Sequence, residues 1–204
     1  MEKPDQEAVP SRQFDISKID FDLLSREFAH TRRKNLLLRD LDELVNQQLA
    51  KMLFANPQRI DYYDRYQAII DAYNAEQNRA TIEKTFMDLM EPASSLDTEQ
   101  QRYVREGFSS DEELSVYDLL FSENLTKQEI ETIKKVSVDL LTKIKQQIAK
   151  LDHWTDKQET KAIVDNLIRN TLWQELPNSY DVSDIQTYQK KIYEYVYMRY
   201  PEVA

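Results

Sequence analysis

The chain of 204 residues has no cysteine, one glycine and two histidines. Without cysteine there is no disulfide and no thiolate metal site. The single glycine, Gly107, cannot build a glycine-rich phosphate loop, so nucleotide hydrolysis through a P-loop is excluded for this chain. His30 and His153 leave little material for a histidine-based nucleophile pair or a His-rich metal centre. No apolar run approaches the ~20 residues of a membrane span, and residues 1–7 lack the basic start and apolar centre of a signal peptide. A protein that is neither secreted nor membrane-embedded is expected, and a cytoplasmic location fits. Positive charge is also short. The formal net charge is -10, which argues against a large nucleic-acid footprint, because phosphate binding needs concentrated Lys and Arg to displace counterions.

What the sequence does have is helical periodicity. Ile130, Ile133, Val136, Leu140, Leu141, Ile144 and Ile148 recur at three- and four-residue intervals, which places them in one stripe of a long helix opening at Thr126. On its polar face Glu131 with Lys135 and Asp139 with Lys143 are acid-first i,i+4 pairs. Such pairs stabilise a helix by only about 0.2 to 0.5 kcal/mol each, so packing must hold it. Truncating Leu140 or Ile144 is expected to open a core cavity, whereas Lys145 reads as a neutral surface position. No segment sustains a period of two, so no sheet is assigned.

In chain order, residues 1–13 are charged, contain Pro4 and Pro10, and read as a flexible lead-in. Ser17 can cap a first helix carrying Ile19, Leu23, Leu24 and Phe28. A second helix over about 35–55 buries Leu38, Leu41, Val45, Leu49 and Met52, with Leu37, Leu44 and Leu53 widening the stripe, and Asn56-Pro57 stops it. A third over about 61–77 presents Tyr62, Tyr63, Tyr66, Ile69, Ile70 and Tyr73. A fourth, from Thr81, is expected to kink or end at Pro92, and a shorter helix over about 98–106 to finish at Gly107. Four Ser/Thr-x-x-Glu/Gln signatures mark helix starts in the second half: Ser110 with Glu113, Thr126 with Glu129, Thr155 with Gln158, and Ser183 with Gln186. The third of these helices carries Ile163, Val164, Leu167, Ile168, Thr171 and Leu172. The last carries Ile185, Tyr188, Ile192, Tyr195 and Val196. The expected fold is all-α, a bundle-like array of eight to nine helices in two packed subdomains, 14–108 and 109–204.

No catalytic or cofactor-binding constellation emerges. Glu27-Phe-Ala-His30 matches the Glu-x-x-His step of helical di-iron centres, but no second step exists, and a solvated surface is the preferred reading. Asp152 with Glu159 and Lys161 has the residue order of a metal-dependent nuclease, yet it falls on a helix where that chemistry is normally mounted on strands. Arg32-Arg33-Lys34, with Arg26 and Arg39 nearby, is the densest basic cluster. It forms either a solvated helix junction or a contact to a phosphate backbone. Tyr188, Tyr193, Tyr195, Tyr197 and Tyr200 cannot all share one helix face, so some are expected at the surface. Together with Trp154, Tyr193, Tyr195, Tyr197 and Tyr200 are candidates for a partner interface.

The segment Glu113-Leu-Ser-Val-Tyr-Asp-Leu-Leu120, followed by Leu125-Thr126-Lys-Gln-Glu129, resembles the C-terminal helical region of the motor and nuclease (R) subunit of type I restriction enzymes. Upstream, Tyr73-Asn74-Ala75 is similar to a Tyr-Asn-Ala step of that region, and Asn56-Pro57 with Arg59 and Asp61 to its Asn-Pro-x-Arg turn. Downstream, the Lys-rich helix ending at Asp152-His153-Trp154, the Leu176-Pro177 break and the aromatic terminal helix follow the family order. The resemblance spans roughly 19–200. Two departures stand out: His153 separates Asp from Trp, and Tyr195 occupies the final helix where relatives often carry His. The resemblance implies a fragment of a longer subunit whose nuclease and ATP-driven translocase domains lie upstream, with ATP and Mg²⁺ belonging to those parts. It implies no chemistry in this region, which would instead dock the motor onto the methyltransferase and specificity subunits of a bacterial or archaeal restriction-modification system that cuts foreign DNA. A helical nucleic-acid-contacting or general protein-interaction module is the alternative.

Overall fold

A computed structural model describes residues 20–75 and 79–201, without the side chains of Arg79 and Asp97. The expected lead-in over 1–13, and the expected cap Ser17 with Ile19, lie outside the described residues. Among those described, the chain is all α-helical, with no strand: α1 (Phe21–His30), α2 (Lys34–Ala55), a 3-10 turn (Pro57–Arg59), α3 (Ile60–Ala75), α4 (Arg79–Gln100), α5 (Arg102–Arg105), α6 (Asp111–Leu120), α7 (Lys127–Ile148), α8 (Gln158–Glu175) and α9 (Val182–Arg199). None of these helices is long and apolar enough to cross a membrane.

Two compact units are formed, one by the described part of Met1–Leu49 with Tyr62–Thr98, the other by Ala50–Asp61 with the described part of Glu99–Ala204. The division differs from a boundary at Gly107. Its physical reason is that the turn after α2 and the end of α4 pack with the helices that follow Gly107, through the polar network around Arg59 described below.

In the first unit, Asp20 caps α1, its Oδ1 accepting from the Leu23 N–H at 2.9 Å. Phe28 stacks on Phe86 with ring centroids 3.6 Å apart. The α2 stripe behaves as its spacing requires: Leu38, Leu41, Leu44, Val45 and Leu49 are buried, and so are Tyr66 of α3 and Leu89 and Leu96 of α4. The Tyr66 hydroxyl donates to Asp42 Oδ1 at 2.8 Å. Contrary to expectation, α4 runs on through Pro92 to Gln100. A proline removes one backbone donor but leaves the neighbouring bonds available. The Ser94 and Ser95 hydroxyls donate to the carbonyls of Glu91 and Pro92 in that turn, at 2.9 and 2.8 Å.

In the second unit, α7 packs against α6 and α8, and α9 packs against α8 and α6, so the four helices enclose one core. The α7 stripe lies inside it. Ile133, Val136, Leu140, Leu141, Ile144 and Ile148 are buried, and Ile130 packs at its margin. Gly107 adopts φ +85° after α5, the left-handed backbone that L side chains resist. The Phe108 N–H then donates to the Tyr103 carbonyl at 2.8 Å.

The helix starts sort by which oxygen reaches the free N–H groups. Thr126 and Glu129 form the full reciprocal box expected of them. Ser110 caps α6, but the Glu113 carboxylate reaches back to the Ser109 N–H instead of that of Ser110. The other two expected boxes are corrected. Helix α8 starts after Lys157 without a side-chain cap, and Thr160 donates to the carbonyls of Trp154 and Lys157. Helix α9 is capped two residues earlier than expected by Asp181, whose Oδ1 accepts from the N–H groups of Ser183 and Asp184. An aspartate caps at least as well as a serine, and sequence spacing alone does not choose between them. Ile163, assigned to the apolar stripe of α8, is exposed. The buried face of that helix is set by Val164, Ile168, Thr171 and Leu172, and Ile163 lies off its centre.

Candidate functional site

The Asn-Pro-x-Arg turn and the 113–120 segment, distant in sequence, meet in the second unit. Asn56, extended at φ -142°, accepts from the Gln58 N–H through its side chain, and Pro57 opens the 3-10 turn that delivers Arg59 inward. Arg59 is 3% exposed. Its Nε donates to Glu99 Oε1 at 2.9 Å, its Nη1 and Nη2 to the two carboxylate oxygens of Asp111 at 2.9 and 2.7 Å, and Nη2 also to the Glu99 carbonyl at 3.2 Å. Burial works against the charged guanidinium, but the bonds and charges of Asp111 and Glu99 outweigh it and hold its pKa above the ordinary value. Next to it, Asp118 accepts from Asn56 Nδ2 at 2.6 Å and from Arg102 Nη2, while Arg102 Nη1 donates to Glu99 Oε1 at 3.0 Å. Burial pushes the Asp118 carboxyl above its usual range, with Arg102 and Asn56 opposing the shift. Ser115, fully buried, donates to the carbonyls of Ala55 and Asp111, both at 2.8 Å.

This network is chemically saturated. Each carboxylate faces a guanidinium or an amide, and a nucleophile, base or metal ligand would need a free lone pair directed into a cavity. Its work is to lock the turn after α2 onto α6. Among the described residues no group of three or more His, Asp or Glu side chains is arranged to hold a metal ion. Glu27 and His30 are exposed on α1. Asp152 is exposed, Glu159 lies in the first turn of α8, and the Lys161 ammonium sits 5.8 Å from the ring centroid of Tyr197.

The aromatic candidates divide. Trp154 is 1% exposed and Tyr195 3%, so both are core residues of the second unit and not interface side chains. Trp154 donates from Nε1 to the Tyr200 carbonyl at 2.6 Å, and its indole meets the rings of Tyr193 and Tyr197 edge-on at 6.2 and 5.7 Å. These contacts account for Tyr193, Tyr197 and the Tyr200 backbone, while Tyr188 packs on Tyr180 and Tyr195 on Tyr200. His153, just before Trp154, adopts φ 45°, which turns the chain into that position. Burial raises the pKa of Tyr195 and Tyr200 alike. Tyr193 is half-buried. Tyr197 is exposed and, with Tyr193, Lys161, Glu194 and Met198, lines an open depression of about 390 Å³.

In the first unit, Arg32 and Arg33 are exposed, whereas Lys34 is half-buried, pairs with Glu83 at 2.6 Å and lies 5.1 Å from the Phe28 ring centroid. The basic triplet is therefore a pair plus an internal lysine.

The surface that sequence reading missed is the outer side of α8. Ile163, Asn166, Asn170 and Trp173 fall at i, i+3, i+7 and i+10, opposite Val164, Ile168 and Leu172, and all four are exposed. Trp173 retains 49% of its surface. The signal was present in the helical wheel: Trp173 cannot join the buried side while Thr171 and Leu172 do.

No curated protein and no solved structure matches this chain. Residues 7–200 match the family described as type I restriction enzyme HindI endonuclease subunit-like, C-terminal. That stretch includes both segments joined by Arg59, the Trp154 wrap and the whole of α8. The chain therefore belongs to the family of C-terminal regions of type I restriction enzyme HindI endonuclease subunit-like proteins.

Proposed function

We propose that this chain is a non-catalytic helical docking domain of a type I restriction R subunit, joining the ATP-dependent translocase and endonuclease motor to the methyltransferase and specificity subunits in the cytoplasm. The observation that carries this reading is the exposed, largely uncharged face of α8, where Trp173 and Ile163 flank Asn166 and Asn170. Tryptophan dominates protein–protein hot spots, and an exposed Trp beside an exposed Ile and two amides has the chemistry of an interface centre with hydrogen-bonding surroundings. Family membership supports this choice of partners, since type I restriction enzymes are multisubunit complexes with methyltransferase and specificity subunits. In this reading the chain belongs to a longer subunit, an ATP-dependent type I site-specific deoxyribonuclease, and ATP and Mg²⁺ act in its other domains.

The test is binding of this chain to the purified methyltransferase–specificity complex by titration calorimetry. A complex at micromolar concentration is expected, weakened at least tenfold by Trp173→Ala. Absence of binding by the unaltered chain overturns docking. Binding unchanged by Trp173→Ala and Ile163→Ala moves the interface away from α8.

A further inference from the structure

We propose that Arg32 and Arg33 form a contact site for the phosphate backbone of duplex DNA on the first unit. The segment from Arg26 to Arg39 carries five basic residues, Arg26, Arg32, Arg33, Lys34 and Arg39, against the single acid Glu27, in a chain whose formal charge is -10. The asymmetry persists in space although Glu83 stands beside the segment, because Lys34 pairs with it; the field just outside a surface is set by charges within about one Debye length, roughly 8 to 10 Å at ordinary salt. The structure then separates the five. Lys34 is committed to Glu83 and to the face of Phe28. Arg39 lies 3.6 Å from Asp40. Arg26, Arg32 and Arg33 are exposed and make no ion pair among the described residues; Arg26 lies within α1, and Arg32 and Arg33 follow its end.

These two arginines sit in the short connection between α1 and α2, which is held in shape by the Arg33 N–H donating to Thr31 Oγ1 at 3.1 Å. Around them Thr31, Arg32, Arg33, Lys34, Asn35 and Ile82 line a depression of about 420 Å³. A concavity with guanidinium groups at its lining suits a phosphodiester better than a flat surface does, since each guanidinium can give two parallel N–H bonds to phosphate oxygens. Charge complementarity selects an anionic polymer. The choice of DNA rests on membership in a restriction endonuclease family, and it is independent of where the partner subunits dock. Two contacts are few, and the acidic remainder of the chain opposes binding, so the site adds to a DNA grip supplied elsewhere in the parent enzyme.

The experiment is fluorescence anisotropy of a labelled duplex with this full chain, from about 20 to about 200 mM salt. Neutralising two phosphates predicts a log–log salt slope of about -1.8. Binding is expected at the low-salt end, abolished by the double change Arg32→Ala with Arg33→Ala, and kept with the same slope in Lys34→Ala. Circular dichroism should show unchanged helicity in the double variant, because both side chains are exposed. Failure of the unaltered chain to bind at low salt, or equal binding by the double variant, overturns the proposal. So does equal competition by polyglutamate, which would make the patch a general anion surface. The double variant should still assemble with the methyltransferase and specificity subunits. Loss of that assembly with DNA binding intact would instead place the arginines in the docking interface and overturn their assignment to DNA.

Discussion

Arg59 and Asp111 form a two-pronged ion pair across 52 positions of sequence, with Nη1–Oδ2 at 2.9 Å and Nη2–Oδ1 at 2.7 Å. A buried pair of this kind is weak evidence for net stability, because removing both charges from water costs nearly what their attraction returns. Removing one partner is different, since the other charge stays buried. Arg59→Ala is expected to destabilise the second unit by about 3 to 5 kcal/mol. Arg59→Lys should recover only part of this, because an ammonium cannot reproduce the fork. Urea denaturation followed by circular dichroism measures both. Equal midpoints for Arg59→Ala and the unaltered chain would contradict the network's role.

The α7 stripe predicts a contrast within one helix. Leu140→Ala and Ile144→Ala each remove a fully buried side chain and should cost about 2 to 5 kcal/mol through the cavity left behind. Lys135→Ala, on the exposed side, should fall within about 0.5 kcal/mol of neutral. Lys145 is not the neutral position its sequence context suggested: its ammonium bonds Glu112 and sits 5.3 Å from the Tyr200 ring centroid, so its truncation should be measurable. Similar thermal shifts for Leu140→Ala and Lys135→Ala would refute the assignment.

Gly107 separates conformational from steric cost. A Cβ at this position meets nothing within 4 Å, so the penalty of Gly107→Ala comes from φ +85° alone. About 1 to 2 kcal/mol is expected, with Gly107→Asn milder because Asn tolerates the left-handed region. Thermal unfolding of the two variants decides it, and a loss well above 3 kcal/mol would mean that neighbouring atoms resist the side chain after all.

Two helix caps should make stability depend on acid. The hydrogen bonds from Thr126 hold the Glu129 carboxyl below its ordinary value, and those from the Asp184 and Ser183 N–H groups and the Ser183 hydroxyl do the same for Asp181. A carboxyl whose pKa is lowered by folding contributes fully above its unfolded value and loses the contribution as pH falls through the folded one. Asp181→Asn keeps an N-cap side chain without the titration. The stability difference between the unaltered chain and this variant should therefore shrink as pH drops from about 6 to about 3, read from urea midpoints at each pH. A difference that stays constant would remove the charge contribution of the cap.

Much of the fold was legible because apolar spacing is a local property. The stripe in 130–148 and the one in 38–52 each follow from 3.6 residues per turn, whatever surrounds them, and both are buried as that period requires. The stop at Asn56-Pro57 and the left-handed turn at Gly107 are equally local. Pro92 shows the limit of such rules: it forbids one hydrogen bond, and α4 continues because its remaining bonds and its buried neighbours Leu89, Ala93 and Leu96 hold it. Helix starts fell between these cases, since Ser183 and Asp181 offer competing oxygens two residues apart.

The surface was less legible for the same physical reason. Whether Trp154 or Trp173 faces solvent depends on what covers each ring. Trp154 is enclosed by Tyr193, Tyr197 and the Tyr200 backbone, about forty residues on, whereas Trp173 stands on the side of α8 away from the core.

Sequence alone determined that this chain is helical, which faces carry its core, and which family order its motifs follow, because backbone period and turn chemistry act within a few residues. Tertiary structure alone decided that Arg59 belongs with Asp111 and Glu99, that Lys34 belongs with Glu83, and that Tyr193 and Tyr197 pack against Trp154 while Tyr188 packs on Tyr180. Charge pairing and burial are relations between distant segments, and their energies exist only once packing has removed the water between them.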